Sequence, residues 1–203
     1  MVKELLYSDV VDPQGREAVS LAASALGELG APVQEVSIPM TVHAGTISAS
    51  IRVEAPTNYR DLVRNRLSEI CHDNRIGYLT SSLLPAMAYY KAQKLRSLLR
   101  QEVLQALEQV DVLVLPTAGV AAQKVEPDPL IDSKQGANRI PWLLTTAFSL
   151  ASIPAISICC GFTNENLPIG LQIGGRPFAE ATVMKVAHAY EQSTDWHTRR
   201  PPL

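Results

Sequence analysis

Phe148-Ser-Leu-Ala-Ser-Ile-Pro-Ala-Ile-Ser-Ile-Cys-Cys-Gly-Phe162 and, after a polar turn, Leu167-Pro-Ile-Gly-Leu-Gln-Ile-Gly-Gly-Arg-Pro-Phe178 make up the stretch on which the fold turns. Two short apolar runs inside it, residues 155–160 and 169–173, are rich in β-branched side chains and bracketed by Pro and Gly. Their length and punctuation predict strands rather than helices. The connector 161–167 carries Gly161, Asn164, Glu165 and Asn166, so the strands are expected to form an antiparallel hairpin with a longer loop. Pro154 and Pro168 each stand where a strand begins, the place at which a missing N–H removes no ladder hydrogen bond.

Working outward, residues 140–150 read as a short helix feeding the hairpin, and residues 111–117 as a compact buried strand stopped by Pro116. Between them, residues 117–139 form a long irregular connection with Pro127 and Pro129, of a length that accompanies function or mobility. The longest helix is predicted over 82–109, where Leu84, Ala88, Ala92, Leu95, Leu99, Val103, Ala106 and Val110 recur at three- and four-residue steps, with Pro85 in the first turn. Nearer the N-terminus, Asp12-Pro13 opens a helix that Gly30 stops. Its flanks, residues 4–11 and 33–38, have strand composition, and that order predicts a parallel crossover. Residues 41–55, ended by Pro56, and residues 58–72 read as two more helices, residues 179–192 as another, and residues 199–203 as an extended tail. The expected architecture is α/β: a mixed β-sheet covered by helices.

Composition narrows the classes. The chain has 203 residues, 46% hydrophobic and 19% charged, with a formal net charge of -2, which suits one ordinary globular domain. The near-neutral balance, with no run of Lys or Arg longer than two, argues against nucleic-acid binding. No apolar run approaches membrane-spanning length, and the charges of Lys3 and Glu4 interrupt what would be a signal-peptide core, so a cytoplasmic location is expected. Three cysteines, two of them the adjacent Cys159 and Cys160, supply neither a disulfide framework nor a paired metal motif. No metal and no cofactor is expected.

The hairpin stretch also carries a resemblance. Leu144-Thr-Thr-Ala-Phe-Ser-Leu-Ala-Ser-Ile-Pro-Ala-Ile-Ser-Ile-Cys-Cys-Gly-Phe162, followed by residues 167–180, resembles the C-terminal part of amidase-signature enzymes. Tyr89-Tyr-Lys-Ala-Gln-Lys-Leu-Arg96 with residues 111–117, and residues 26–39, are similar to that family's upstream segments in the same order. The resemblance implies residues 1–203 as a partial amidase-signature domain, the C-terminal half, with the N-terminal catalytic half absent.

That family hydrolyses or transfers carboxamides with a serine nucleophile, a second serine in a cis peptide, and a lysine that relays the proton. A desolvated lysine can be neutral near pH 7 and accept the hydroxyl proton. Both the lysine and the Gly/Ser-rich loop precede the matched part, so no catalytic residue is assigned here. Substitutes are weak. Ser81-Ser82 lacks flanking Gly and reads as a helix cap, and Cys71-His72-Asp73 places consecutive residues on different helix faces. No GxSxG elbow occurs.

For the pocket wall, the resemblance points to three residues. Arg96 stands where the family's glutaminase-type amidotransferases bind a substrate carboxylate; a helix-surface arginine is the alternative. Ser149 occupies the place of a family Asn, and Trp142, seven positions earlier, that of an acidic residue holding the glutamine amino group. A Trp offers only an aromatic face, which favours a more apolar amide; ordinary core packing is the alternative. Ser152 and Cys159 replace a family Gly and Pro. The implied partners are a small-molecule amide in the complete enzyme and a missing N-terminal half or an oligomer. A non-catalytic binding module and a self-sufficient hydrolase using Cys71/His72 or Ser82 stand as the competing readings.

Overall fold

The two apolar runs form the expected hairpin: β2 (Ala155–Phe162) pairs antiparallel with β3 (Pro168–Gly175). A bulge between Cys159 and Gly161 shifts the register, so Ala155 faces Gly174 while Phe162 faces Pro168. The computed structural model describes residues 1–122 and 144–200. β1 (Val112–Pro116) lies antiparallel on the other side of β3, from Val112 opposite Gly175 to Pro116 opposite Leu171. The sheet order is β1-β3-β2.

Period-two alternation sends the side chains of this sheet to two faces. On one face, Val114, Ile158, Cys160, Ile169, Leu171 and Ile173 pack with Val19 and Leu26 of α2 (Pro13–Glu28) and with Val183, Ala187 and Tyr190 of a helix that follows the hairpin, Glu180–Ser193. On the other, Leu113 and Leu115 pack with Ile47 of α3 (Ala44–Ile51), Leu99 and Val103 of α7 (Ala86–Gln109), and Phe148 of α8 (Thr146–Ala151). The C-terminal helix Glu180–Ser193 is α9. α2 forms where the sequence predicts it: Asp12 accepts the Gln14 N–H at 2.8 Å and Pro13 stands at the first helical position.

The α/β architecture stands, with its parallel component reduced. Residues 4–11 do not form a strand: Glu4-Leu5-Leu6 are strong helix formers and make α1 (Lys3–Leu6). Residues 31–35 are exposed and have no sheet face to fill, so of the 33–38 segment only Val36 and Ile38 are buried. What remains of the crossover is one parallel bridge between Val2 and Val36, with the Val2 N–H donating to Val114 O at 3.2 Å. Glu4 fastens the same join. Burial pushes its carboxyl up, but the N–H of Ile38 and the hydroxyl of Ser37 outweigh that and hold it below the ordinary carboxylate range.

The helical region between residues 39 and 85 is more broken than the periodicity predicts. Pro56 does not stop a helix; it sits inside α4 (Glu54–Asn58), in a first turn where its missing N–H is not needed. Residues 58–72 divide into α5 (Arg60–Asn65) and a 3-10 turn over Leu67–Glu69, and His72 begins α6 (His72–Ser81). Ser81 and Ser82 end α6 instead of capping the long helix, because the residue before Pro85 is held away from helical backbone and α7 starts only at Ala86. Leu83, Met87 and Tyr90 leave an apolar stripe at 82%, 62% and 57% exposure. Residues 123–143, with Pro127, Pro129, Trp142 and the first residues of the predicted 140–150 helix, lie outside the described residues. Among the described residues, no helix is long and apolar enough to cross a membrane.

Candidate functional site

Two of the three residues expected at the pocket lie on α7 and α8, Arg96 on the first and Ser149 on the second. Arg96, half-buried on α7, donates Nε–H to Leu150 O at 3.0 Å and an Nη2–H to Ser152 Oγ at 3.0 Å. Arg100, one turn on, donates to the carbonyls of Ala151 and Ser152. A helix leaves its last carbonyls unpaired, and cationic side chains are favoured there by the helix dipole. The two guanidinium groups thus close the C-terminal end of α8. Ser152 stands at that end with φ 54°, in the left-handed region. This accounts for the family's Gly at this position, since a Cβ makes the conformation costlier. Ser149 lies on the exposed side of α8 and returns its hydroxyl to Thr145 O at 3.1 Å. Trp142 lies outside the described residues.

The arrangement makes Arg96 a helix clamp in the chain as it stands, whatever else it contacts. Arg96→Ala is expected to lower the unfolding free energy by about 2 kcal/mol in urea titrations, the order of charge-assisted bonds to the end of a buried helix. A purely substrate-facing arginine would leave the titration midpoint of the isolated chain unchanged.

A second polar group, not foreseen from the sequence, lies on the sheet face shared by Ala155, Ser157, Gly170 and Gln172. Thr117 and Ser157 share a hydrogen bond between their hydroxyls at 2.6 Å, directly over Gly170, where an added Cβ would meet Thr117 Oγ1 at 2.7 Å. Gln172, the cross-strand partner of Ser157, is 5% exposed, and its Oε1 is buried with no hydrogen-bond partner. The signal was present in Gly170-Leu-Gln172-Ile-Gly174: two glycines on the same strand face as a Gln mark close approach of other atoms.

The substitutes for a nucleophile do not assemble. Ser82 donates its hydroxyl to Tyr78 O at 2.8 Å and ends α6; Ser81 bonds the same carbonyl. Cys71 and His72 are exposed at the start of α6, with no side-chain hydrogen bond between them. Cys160 is buried beneath α2 and α9, and desolvation, with Cys159 alongside, pushes its thiol up to about 12, so it is not a thiolate near neutrality. Burial likewise raises the Tyr190 phenol to about 12. Among the described residues, no group of three His, Cys, Asp or Glu side chains is placed to hold a metal ion.

The amidase family profile matches residues 1–184. The chain belongs to the amidase family. It is 36% identical to the A subunit of a glutamyl-tRNA(Gln) amidotransferase from a Cyanothece species, over 97% of this chain and 45% of that one. Against the corresponding Synechococcus protein, identity rises to 51% over 119 residues, 57% of this chain. The crystal structure of the Thermotoga maritima counterpart superposes with a TM-score of 0.72 at 30% identity, covering 93% of this chain and 41% of that one. A solved amidase structure at 22% identity shares the fold, with a TM-score of 0.77. The chain therefore spans less than half the length of these amidase relatives.

Proposed function

We propose that this chain forms the scaffold and one wall of the carboxamide pocket of an amidase-signature enzyme acting on a C–N bond, while the attacking groups lie on the part of the domain it does not span. One observation carries this reading. The amidase profile covers residues 1–184, yet among the described residues neither Ser82 nor Cys71 has a Lys or His side chain hydrogen-bonded to it. A Ser or Cys without a partner to take its proton is a poor nucleophile at neutral pH. The family's serine–serine–lysine relay would be supplied by the complementary part, whose loop N–H groups would stabilise the oxyanion.

On the wall side, Arg96 binds the C-terminal end of α8 and Ser149 lies on the exposed side of that helix. Arg96 keeps its Nη1 side for a substrate carboxylate while its other donors hold α8. Trp142, in place of a carboxylate, favours an amide with an apolar amino side over glutamine. This separates the proposed activity from the transfer reaction for which the amidotransferase relatives are named.

The test is a turnover assay of the purified chain on acetamide, benzamide, acetanilide and glutamine. Release of ammonia or aniline is expected to stay at the uncatalysed rate. Turnover at enzymatic rates that Ser82→Ala or Cys71→Ala abolishes would overturn the proposal and establish a self-sufficient hydrolase.

A further inference from the structure

The sheet face covered by α2 and α9 carries a cleft of about 360 Å³, at the small end of the range that ligand sites occupy. At Ala18, α2 presses so closely on β2 that a Cβ on Gly161 would stand 3.2 Å from the Ala18 Cβ. One and two turns on, Ala22 and Ala25 present only methyl groups, and the space they leave is part of the cleft. Phe162, the last residue of β2, and Trp196, which opens the 3-10 turn Trp196–Thr198 after α9, supply an aromatic wall. Their ring centroids are 6.0 Å apart and the rings are tilted by 49°. Arg199 holds this pair, its guanidinium 4.5 Å from the centre of the Trp196 ring and 5.2 Å from that of Phe162.

Two features set the sign of the charge this cleft accepts. Glu17, exposed on α2, lines it, and among the described residues no basic side chain lies within ion-pair distance of that carboxylate. Thr194, the C-cap of α9, lines it as well, so the negative end of that helix faces the same space. Arg199 is the opposing charge. It is exposed, does not itself line the cleft, and by engaging both rings leaves them poorer acceptors for a second cation. A ligand's positive group therefore belongs at Glu17, and its apolar body against Trp196.

We propose that this cleft binds a primary arylalkylamine in its protonated form: the aromatic ring lies between Ala22 and Ala25 of α2 and the Phe162–Trp196 pair, and the ammonium group pairs with Glu17. The inference stands on residues of this chain alone and goes beyond the pocket-wall reading. Ring-on-ring contact with Trp196 supplies affinity without fixing the ligand's charge. Glu17 supplies the selection: a neutral ligand of the same shape forgoes the ion pair, and an anionic one meets repulsion.

The test is a fluorescence titration of the chain carrying Trp142→Phe, in which Trp196 is the one indole left of the two in the sequence. The probes are phenethylamine, 2-phenylethanol and 3-phenylpropionate, which share a ring and differ in charge. Phenethylamine is expected to change the Trp196 emission saturably, and the other two to bind about fivefold more weakly or less, the worth of one solvent-facing ion pair. Glu17→Gln should weaken phenethylamine by about the same factor and leave 2-phenylethanol unchanged, whereas a merely structural effect would move both. Ala25→Leu fills the cleft from a helix position that favours Leu, and should weaken phenethylamine roughly tenfold or more. Should Ala25→Leu lower Tm, the exposed Glu17→Gln variant still decides the matter. No saturable response to phenethylamine, equal binding of the three probes, or a Glu17→Gln chain that keeps its preference for the amine would each overturn the proposal.

Discussion

Phe148→Ala should make the chain easier to unfold by about 4 kcal/mol, the largest loss expected from any single truncation in the α7–α8 layer. Phe148 is 1% exposed and packs with Leu113, Leu115, Leu99 and Val103, so its removal leaves a lined void that rigid neighbours only partly fill. The ring also fixes Gly174. A Cβ there would lie 2.6 Å from Phe148 Cε2 and 2.7 Å from Cδ2, well inside contact distance. Gly174→Ala alone should therefore cost about 2–3 kcal/mol by overpacking. In the Phe148→Ala background the same methyl enters the void, and its cost should fall close to zero. Urea unfolding of the four chains gives the coupling energy directly. Additive losses would mean that the ring and the glycine do not share the contact described.

Gly119→Ala should cost about 3 kcal/mol, for a different reason. Its Cβ would collide with the carbonyl oxygen of Val10 and stand 3.1 Å from the carbonyl carbon, and backbone cannot rotate away as a side chain can. Gly119 is also tied to the opening of α2, because its carbonyl accepts the Asp12 N–H at 2.7 Å while Asp12 caps that helix. The substitution should shift the urea midpoint and, in hydrogen-exchange measurements, expose the amides of the first turn of α2 before the rest of the chain opens. A loss below about 1 kcal/mol would show that the loop can separate from Val10 without consequence.

The parts of the fold legible in the sequence were those whose signal is local and repeated. β1, β2 and β3 are short β-branched runs punctuated by Pro and Gly, and α2 has its Asp12-Pro13 start; each forms within a few residues of expectation. Residues 4–11 misled because Val10 and Val11 gave them strand composition, while Glu4-Leu5-Leu6 have stronger helical preference and only Val2 reaches the sheet. The region around Pro56 and His72 misled because helical periodicity persists across breaks that exposed, weakly packed turns introduce. For the candidate site, Arg96 and Ser149 were singled out from the family pattern; the structure shows Arg96 of α7 bonded to the end of α8 and Ser149 bonded within α8, contacts that do not bear on a substrate role. The Gln172–Ser157–Thr117 group was not, since it is assembled from three strands or strand ends that no sequence window contains together.

The pairing of β1 with β3 has a consequence for how the chain is made. Val112 opposes Gly175 and Pro116 opposes Leu171, and at about 5–20 residues per second the ribosome delivers β1 several seconds before the strand it needs. Throughout that interval Val112-Leu-Val-Leu-Pro116 is an apolar ribbon bordered by no C-terminal neighbour. Nascent-chain yield should consequently depend on holdase chaperones during translation of the stretch that separates the two strands.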